Sequence, residues 1–144
     1  MKAKELNKIE IKLPALSQNE SLARQIICSF ASQLDPTTSE ISDLRVIISE
    51  AVTNCVVHAY RHTSGYIYIS AVIFDSNSIR IKIRDKGCGI EDIKSSLEPF
   101  FTTDPAGERG GMGFPIMKEL SDRFSVRSAP GKGTCVTLFK KFGA

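Results

Sequence analysis

A continuous apolar stripe at helical spacing begins at Ile41 and ends at Cys55. Side chains three and four residues apart share one face of an α-helix, so the stripe predicts a helix with one buried face. Residues 37–39 (Thr-Thr-Ser) precede it and are suited to cap its first turn. We expect the helix to extend to about Tyr60. The stripe consists of Ile41, Leu44, Ile47, Ile48, Ala51, Val52 and Cys55.

An earlier apolar pattern predicts another helix. Ser17, followed three residues later by Glu20, has the spacing of a capping box. The pattern ends at Asp35 and Pro36, because proline does not continue a helix. This first helix is predicted from Leu22, Ala23, Ile26, Ile27, Phe30 and Leu34.

Alternation with a period of two residues predicts the strands. Ile9, Ile11 and Leu13 alternate with charged residues before Pro14 ends the first strand. Two later runs, separated by the turn-like residues 75–78, form a predicted antiparallel hairpin. The later strands are predicted at 66–74, 79–84, 124–127 and 134–139, the last two joined by a turn at 130–133.

Residues 85–113 hold six of the ten glycines and show no long apolar period. We expect this segment to be rich in loops, with at most a short helix near 91–97, and a third helix at 114–120. A long irregular segment in a compact domain is often a lid or a binding loop. Together the elements predict one domain over residues 1–144, an α/β (α+β) two-layer sandwich with helices on one face of a mixed, mostly antiparallel sheet.

Charge and composition exclude several classes of protein. The formal net charge is +3, and no basic run marks a surface that wraps DNA, so we expect no direct nucleic-acid partner. The start of the chain is charged throughout and lacks the apolar stretch of a signal peptide. No segment approaches the roughly 20 apolar residues that cross a bilayer. These observations predict a cytoplasmic protein with no membrane partner.

The cysteines and histidines do not predict a metal site. The four cysteines lie far apart with no CxxC pair, so they are expected to be reduced thiols. The only two histidines, His58 and His62, have no cysteine at ligand spacing, and zinc is not expected.

Glu50, Asn54 and His58 recur every four residues along the predicted second helix. At this spacing their side chains share one edge of the helix and border its apolar stripe. Two interpretations remain open: a solvated shoulder on a surface helix, or a half-buried row of functional groups. Spacing alone favours the first.

Two glycine motifs follow. Asp85 ends the predicted strand and begins the pattern Asp-x-Gly-x-Gly with Gly87 and Gly89, where backbone can approach a flat ligand while the carboxylate accepts a hydrogen bond. Gly111 and Gly113 lie just before the third helix, where exposed N–H groups suit phosphate oxygens. Taken singly, each motif also fits an ordinary turn or a helix cap.

In this order the motifs resemble the GHKL family of ATP-binding domains, which have the Bergerat fold. The Glu-x-x-x-Asn helix corresponds to the family's N box, and the two glycine motifs to its two glycine boxes. The chain is most similar to the anti-sigma factor serine kinases of spore-forming bacteria. Ala59, Cys88 and Gly110 depart from that pattern but remove no group that the chemistry needs. The similarity rests on residues 15–21 (ALSQNES), 33–37 (QLDPT), 49–54 (SEAVTN), 101–103 (FTT) and 108–114 (ERGGMGF).

The resemblance implies a site for ATP or ADP with Mg²⁺. It makes Asn54 the Mg²⁺ ligand and Glu50 the general base that takes the proton of a substrate serine. Arg109 would reach the terminal phosphate, and Asp85 would accept a hydrogen bond from the adenine amino group. The remaining nucleotide-binding positions that it implies are His58, Gly87, Gly89, Thr103, Gly111, Gly113 and Thr134.

The resemblance also implies protein partners. One is a sporulation sigma factor held by a homodimer of this chain, and the other is an anti-anti-sigma factor that is phosphorylated on serine and thereby inactivated. Arg24 matches a family residue on the surface for which both partners compete. Three alternatives remain: a nucleotide-gated binding module without kinase activity, a stress-response anti-sigma kinase, and the catalytic half of a histidine kinase. The chain length disfavours the last of these.

Overall fold

The computed structural model describes residues 2–60, 64–88 and 113–143. The strands are β1 (Glu5–Pro14), β2 (Tyr66–Phe74), β3 (Ser78–Asp85), β4 (Arg123–Ser128) and β5 (Thr134–Lys141), and the helices are α1 (Asn19–Ala31), α2 (Thr38–Thr53) and α3 (Gly113–Leu120). The strands form one sheet in the order β1-β2-β3-β5-β4. Every described pairing is antiparallel, so the mixed sheet that was predicted is not observed. One sheet with helices on one face confirms the predicted α/β class.

The sheet has an apolar inner face and a polar outer face. On β3, Ile79, Ile81 and Ile83 are buried, whereas Lys82 and Arg84 are exposed. Successive side chains of a strand point to opposite faces, so this alternation places the isoleucines against the helices. Inner-face residues of β2 and β5, such as Ile69 and Leu138, extend the same core.

Helix α2 lies in the centre of the helical layer, with α1 against one side and α3 against the other. Five members of the predicted stripe, from Leu44 to Val52, are almost inaccessible to solvent. Lys140 of β5 is buried between the sheet and the helices, and its Nζ donates to the carbonyl of Leu120, 2.9 Å away. The same Nζ lies 3.6 Å from a carboxylate oxygen of Asp43, which ties β5 to α2 and to the end of α3.

The predicted extent of the second helix is confirmed, but its hydrogen bonding changes near the end. After Thr53 the chain continues as a π-helical turn, Asn54–Ala59. The N–H of Tyr60 donates to the carbonyl of Cys55 at 2.9 Å, a bond from residue i+5 to residue i. π-Bulges of this kind occur frequently at functional sites. Three residues of the turn, Cys55, Val56 and Val57, are buried.

The capping box predicted at Ser17 and Glu20 is wrong. Helix α1 begins at Asn19 after Gln18, and no side chain caps it. The carboxylate of Glu20 instead binds Nη1 of Arg24 at 2.7 Å, one turn further along the helix. Because Gln18 is the N-cap residue, Ser17 and Glu20 are out of position for a capping box, and Glu20 pairs along the helix with Arg24.

A complete capping box begins α2. The hydroxyl of Thr37 accepts from the N–H of Glu40 at 3.1 Å, and the Glu40 carboxylate accepts from the N–H of Thr37 at 2.8 Å. The second Glu40 oxygen accepts from the N–H of Gly143 at 2.9 Å. These bonds to ionised oxygen lower the pKa of Glu40.

Elsewhere the predicted boundaries are close to those observed. Strand β1 begins at Glu5, earlier than the alternation indicated. Helix α1 ends at Ala31 and is followed by a 3₁₀ turn that ends with Asp35 at a φ of 53°. The predicted short helix near 91–97 lies outside the described residues.

The turn between β2 and β3 holds both ends of the described chain. The N–H of Lys4 donates to a carboxylate oxygen of Asp75 at 2.8 Å, and the N–H of Asp75 donates to the carbonyl of Lys4 at 2.9 Å. On the other side, the N–H of Phe142 donates to the carbonyl of Asn77 at 2.9 Å, and the Asn77 amide donates back at 3.1 Å.

We predict that Thr37→Ala lowers the free energy of unfolding by about 1 kcal/mol, because the first turn of α2 loses its side-chain acceptor. Urea denaturation measures the change. Ser39→Ala in the same turn is the matched control, since Ser39 is exposed and takes no part in the capping box. Equal losses in the two variants would contradict the assigned cap.

Candidate functional site

The described candidate residues lie near the end of helix α2, at the end of β3 and at the starts of β5 and α3. Glu50 lies in the last turn of α2, and Asn54 begins the π-helical turn that also contains His58. Asp85 ends β3 and pairs with Thr134, which begins β5. Gly113 begins α3. The predicted residues Gly89, Thr103, Arg109 and Gly111 lie outside the described residues.

Asp85 is buried, with 5% of its surface exposed, and its two carboxylate oxygens have different partners. Oδ1 accepts from the N–H of Gly87 at 2.9 Å and from the N–H of Thr134 at 3.2 Å. Oδ2 lies 3.8 Å from the Sγ of Cys55, a weak thiol donor. Two backbone donors therefore fix the carboxylate through one oxygen and leave lone pairs of the other oxygen to a ligand.

Burial raises the pKa of Asp85, because a desolvated carboxylate is less stable than the neutral acid. The N–H groups of Gly87 and Thr134 and the thiol of Cys55 act in the opposite direction. Burial and the neighbouring Asp85 charge together raise the pKa of Cys55 well above that of a free thiol. Cys55 is therefore a neutral donor towards Asp85 rather than a competing anion.

Gly87 is required by close contact with the end of the π-helical turn. A Cβ added at Gly87 would collide with the carbonyl oxygen of Ala59 and lie 2.7 Å from the Ala59 Cβ. The N–H of Cys88 donates to that same carbonyl at 2.9 Å. An alanine at position 59 is thus accommodated because position 87 has no side chain.

Gly133 makes the corresponding contact on the other side of Asp85. Its φ is +83°, and a Cβ there would collide with the carbonyl oxygen of Asp85. The hydroxyl of Ser128 donates to the carbonyl of Gly133 at 2.8 Å and lies 2.9 Å from the hydroxyl of Thr134. The start of β5 is therefore positioned by neighbours that the sequence motifs do not include.

Tyr60 is a further positioning residue that the sequence reasoning missed. Its hydroxyl accepts from the N–H of Lys86 at 2.7 Å and donates to the carbonyl of Tyr66 at 2.6 Å. Burial raises the pKa of this phenol. Tyr60 therefore joins the end of the π-helical turn to both β2 and the segment after β3. From the sequence, Tyr60 was predicted only as the end of the second helix. Its hydroxyl beside an apolar stripe is the signal that could have indicated a buried hydrogen bond.

The row formed by Glu50, Asn54 and His58 is not a solvated shoulder. Glu50 is buried, with 7% of its surface exposed, and Asn54 and His58 are half-buried. The Nδ2 of Asn54 is a buried side-chain donor without a hydrogen-bond partner among the described residues. Leaving such a group unpaired costs about 1–3 kcal/mol, which a ligand oxygen would offset. Side-chain amide oxygens are also suitable ligands for hard cations such as Mg²⁺, so the residues present fit a metal-bound phosphate group.

Arg24 and Glu50 line the same groove between α1 and α2, which has a volume of about 860 Å³. Nη1 of Arg24 donates to Glu20 at 2.7 Å and to the hydroxyl of Ser49 at 3.1 Å, which fixes the guanidinium against α2. Arg45 also lines the groove, so its wall carries two acidic and two basic side chains. The groove thus brings together Arg24, which is predicted to contact protein partners, and Glu50, which is predicted to be the general base.

Comparisons with known proteins agree with this fold. The family model for a histidine kinase-like ATPase domain matches residues 13–140. A Mycobacterium tuberculosis structure of RsbU and RsbW domains superposes with a TM-score of 0.67 at 19% identity, covering 95% of this chain and 32% of that chain. A mycobacterial sensor histidine kinase, MprB, superposes with a TM-score of 0.58 at 15% identity, covering 92% of this chain and 97% of that chain. Fold and site define a histidine kinase-like ATPase domain, a class that implies nucleotide binding.

Curated relatives narrow the class. An anti-sigma F factor of Caldanaerobacter subterraneus subsp. tengcongensis is 49% identical over 95% of both chains. The anti-sigma F factor of Clostridium acetobutylicum is 47% identical over 94% of both chains, and that of Bacillus subtilis is 44% identical over 93% of this chain and 92% of its own. The chain belongs to the anti-sigma F factor family. Among the described residues, no helix is long and apolar enough to cross a membrane.

The raised pKa of Asp85 gives a stability prediction with a definite sign. The native carboxyl binds its proton more tightly than the unfolded one, whose pKa is about 3.9. Its contribution to stability is therefore fully present below that value and is lost as the pH rises through the native pKa. Above the native pKa, the buried charge opposes folding.

We predict that Asp85→Asn gains stability relative to the wild type as the pH rises from about 4 to 7, because the amide stays neutral while its oxygen still accepts from Gly87 and Thr134. Urea denaturation across this range measures the difference. Asp122→Asn, at an exposed position, is the matched control. An Asp85→Asn difference that stays constant with pH would contradict the assignment.

Proposed function

We propose that this chain is an anti-sigma factor that binds a sporulation sigma factor and, as an ATP-dependent serine kinase, phosphorylates and thereby inactivates an anti-anti-sigma factor. The observation that carries the proposal is the shared groove of Arg24 and Glu50, one helical turn from Asn54. It brings a residue for partner contact and a buried carboxylate to the same surface. Asn54, with its unsatisfied amide, follows directly on the same helix.

At the nucleotide, Oδ2 of Asp85 would accept a hydrogen bond from the adenine amino group, since Oδ1 is occupied by two N–H groups. Gly87 would place its backbone beside the purine, since the absence of a side chain lets it pack directly against Ala59 of the π-helical turn. Thr134 closes the same pocket, and His58 borders it from the π-helical turn.

At the phosphates, Asn54 would hold Mg²⁺, which offsets phosphate charge when bound. Gly113, at the N-terminus of α3, would direct backbone N–H groups towards the phosphates. We assign the same task to Gly111 and place Gly89 and Thr103 in the nucleotide site. Arg109 would stabilise the charge that develops on the transferred group. These last four roles rest on the sequence resemblance.

Glu50 would act on the substrate serine. Its carboxylate takes the hydroxyl proton as the serine oxygen bonds to the γ-phosphorus. The bond between that phosphorus and the bridging oxygen breaks, and ADP leaves with the electron pair. Burial of Glu50 on the groove wall keeps the carboxylate away from bulk water while it faces an incoming protein segment.

The partner assignments follow from the family. The curated relatives bear the name anti-sigma F factor, which supports a sigma factor as the bound partner. Arg24 is held against Ser49 with its charge towards the groove, where both partners would meet it. We further propose a homodimer that acts in the cytoplasm.

We predict that Glu50→Gln lowers the rate of serine phosphorylation by at least about 100-fold, because the amide cannot accept the proton. ATP affinity should change by less than about threefold, since Glu50 is not assigned to the nucleotide. Labelled ATP and an anti-anti-sigma protein measure transfer, and isothermal titration measures binding. Glu10→Gln, on the exposed side of β1, is the matched control.

Two results would separate the alternatives. Full kinase activity in Glu50→Gln would remove the base assignment. Binding of ATP and of a sigma factor by the wild type, with no transfer to any anti-anti-sigma protein, would instead favour the nucleotide-gated module without kinase activity.

We predict that Asn54→Ala weakens Mg²⁺-dependent ATP binding by at least about tenfold and makes the remaining affinity insensitive to Mg²⁺. The variant loses both the oxygen ligand and the unsatisfied amide donor. Titration with ATP, with and without EDTA, measures the effect, and Asn7→Ala on β1 is the control. An Mg²⁺ response equal to that of the wild type would exclude Asn54 as the ligand.

A further inference from the structure

The outer face of the sheet, on the side opposite the helices, is strongly basic. Three lateral rows of paired residues cross all five strands on this face. The first row is Lys12, Tyr68, Arg84, Cys135 and Arg127; the second is Glu10, Ser70, Lys82, Thr137 and Ser125; the third is Lys8, Val72, Arg80, Phe139 and Arg123.

These fifteen positions carry seven basic side chains and one acidic side chain, a formal charge of +6. Because the whole chain carries +3, all its other residues together carry −3. The acidic side chain, Glu10, is already paired with Lys8 at 3.1 Å. Charge is therefore segregated between the outer face and the rest of the molecule, which the net charge alone does not reveal.

The basic residues are concentrated on the central strand. On β3 the consecutive outward positions Arg80, Lys82 and Arg84 are all basic. Alternate residues of a strand are about 6.6–6.8 Å apart, so this strand presents a line of like charges at that interval. Such a line costs stability through mutual repulsion, and an anionic partner would offset the cost.

The aromatic side chains on this face are covered by the cations. Lys12, Arg84 and Lys86 lie 5.8, 5.0 and 5.1 Å from the ring centre of Tyr68. Arg123 lies 5.7 Å from the ring centre of Phe139. Proteins that bind single-stranded nucleic acid combine basic grooves with open aromatic rings on which bases stack. Here cations already contact the rings of Tyr68 and Phe139, so these rings are not open for bases to stack on.

We propose that the outer face of the sheet is a docking surface for an acidic segment of a protein partner. Carboxylates on alternate residues of an extended segment repeat at the same interval as the basic residues of β3. In the three rows the one aliphatic side chain is Val72, which is buried, so attraction between charges provides the affinity. Such contacts associate quickly and weaken with salt. The surface lies on the opposite side of the sheet from the groove between α1 and α2, so both can be engaged together.

The test uses fluorescent poly-L-glutamate as the probe and anisotropy as the readout, at low and at physiological ionic strength. The variant Lys82→Glu/Arg127→Glu reverses two charges of the outer face. Both residues are exposed and neither belongs to the core. Lys2→Glu/Lys118→Glu is the matched control, because it changes the net charge equally at exposed positions outside the three rows. Thermal unfolding and ATP binding verify that both variants are folded.

We expect the wild type and the control to bind poly-L-glutamate with similar, salt-sensitive affinity and the outer-face variant to bind about tenfold more weakly. Equal weakening in both variants would overturn the proposal, since net charge would then explain it. Absence of binding by the wild type would also overturn it. Tighter binding of oligo-dT or of phosphatidylserine vesicles than of poly-L-glutamate, lost in the outer-face variant, would reassign the surface to nucleic acid or membrane.

Discussion

The carboxylate of Asp85 is the interaction on which the arrangement of the site depends. Through Oδ1 it accepts from the segment after β3 and from the first residue of β5, and through Oδ2 it contacts the π-helical turn. Glycines at positions 87 and 133 permit this close approach, because a side chain at either would collide with neighbouring backbone. One buried charge thus brings three separate parts of the chain together, although its desolvation opposes folding. Because the desolvated carboxylate of Asp85 opposes folding, its position is explained by ligand binding and not by a contribution to stability.

Whether a feature of the fold or the site could be predicted from the sequence depended on how far apart in the chain the interacting residues lie. The stripe of α2 and the alternation in β2 and β3 are local patterns of period 3.6 and 2, and the predicted elements were confirmed. The Ser17 capping box was wrong because α1 begins one residue later than the capping pattern indicates, with Gln18 as its N-cap. The π-helical turn and the role of Tyr60 depend on contacts with β2 and the segment after β3, far away in sequence. The candidate site residues at 50, 54, 85 and 134 were predicted from motif order and the family resemblance, whereas their burial and bonding required the fold.

The basic outer face could not be predicted from the sequence, for a related reason. Charge runs in sequence identify surfaces only when the charges are adjacent, and here the basic residues lie at outward-facing positions of three strands, separated by inward-facing residues. The pairing register assembles them, since Lys12, Arg84 and Arg127 fall in one row although they are far apart in the chain. The same sheet therefore supports the candidate site through its inner face and one strand end, and a separate electrostatic surface through its outer face.

The turn between β2 and β3 holds Lys4 on one side and Phe142 on the other, at the end of β3 opposite Asp85. The two ends of the described chain therefore lie close together and away from the candidate site. Chain that enters at Lys4 and chain that leaves at Phe142 therefore pass the same turn, at the end of the sheet remote from Asp85. A domain fused through either of these segments would be held away from the candidate site and would not obstruct it.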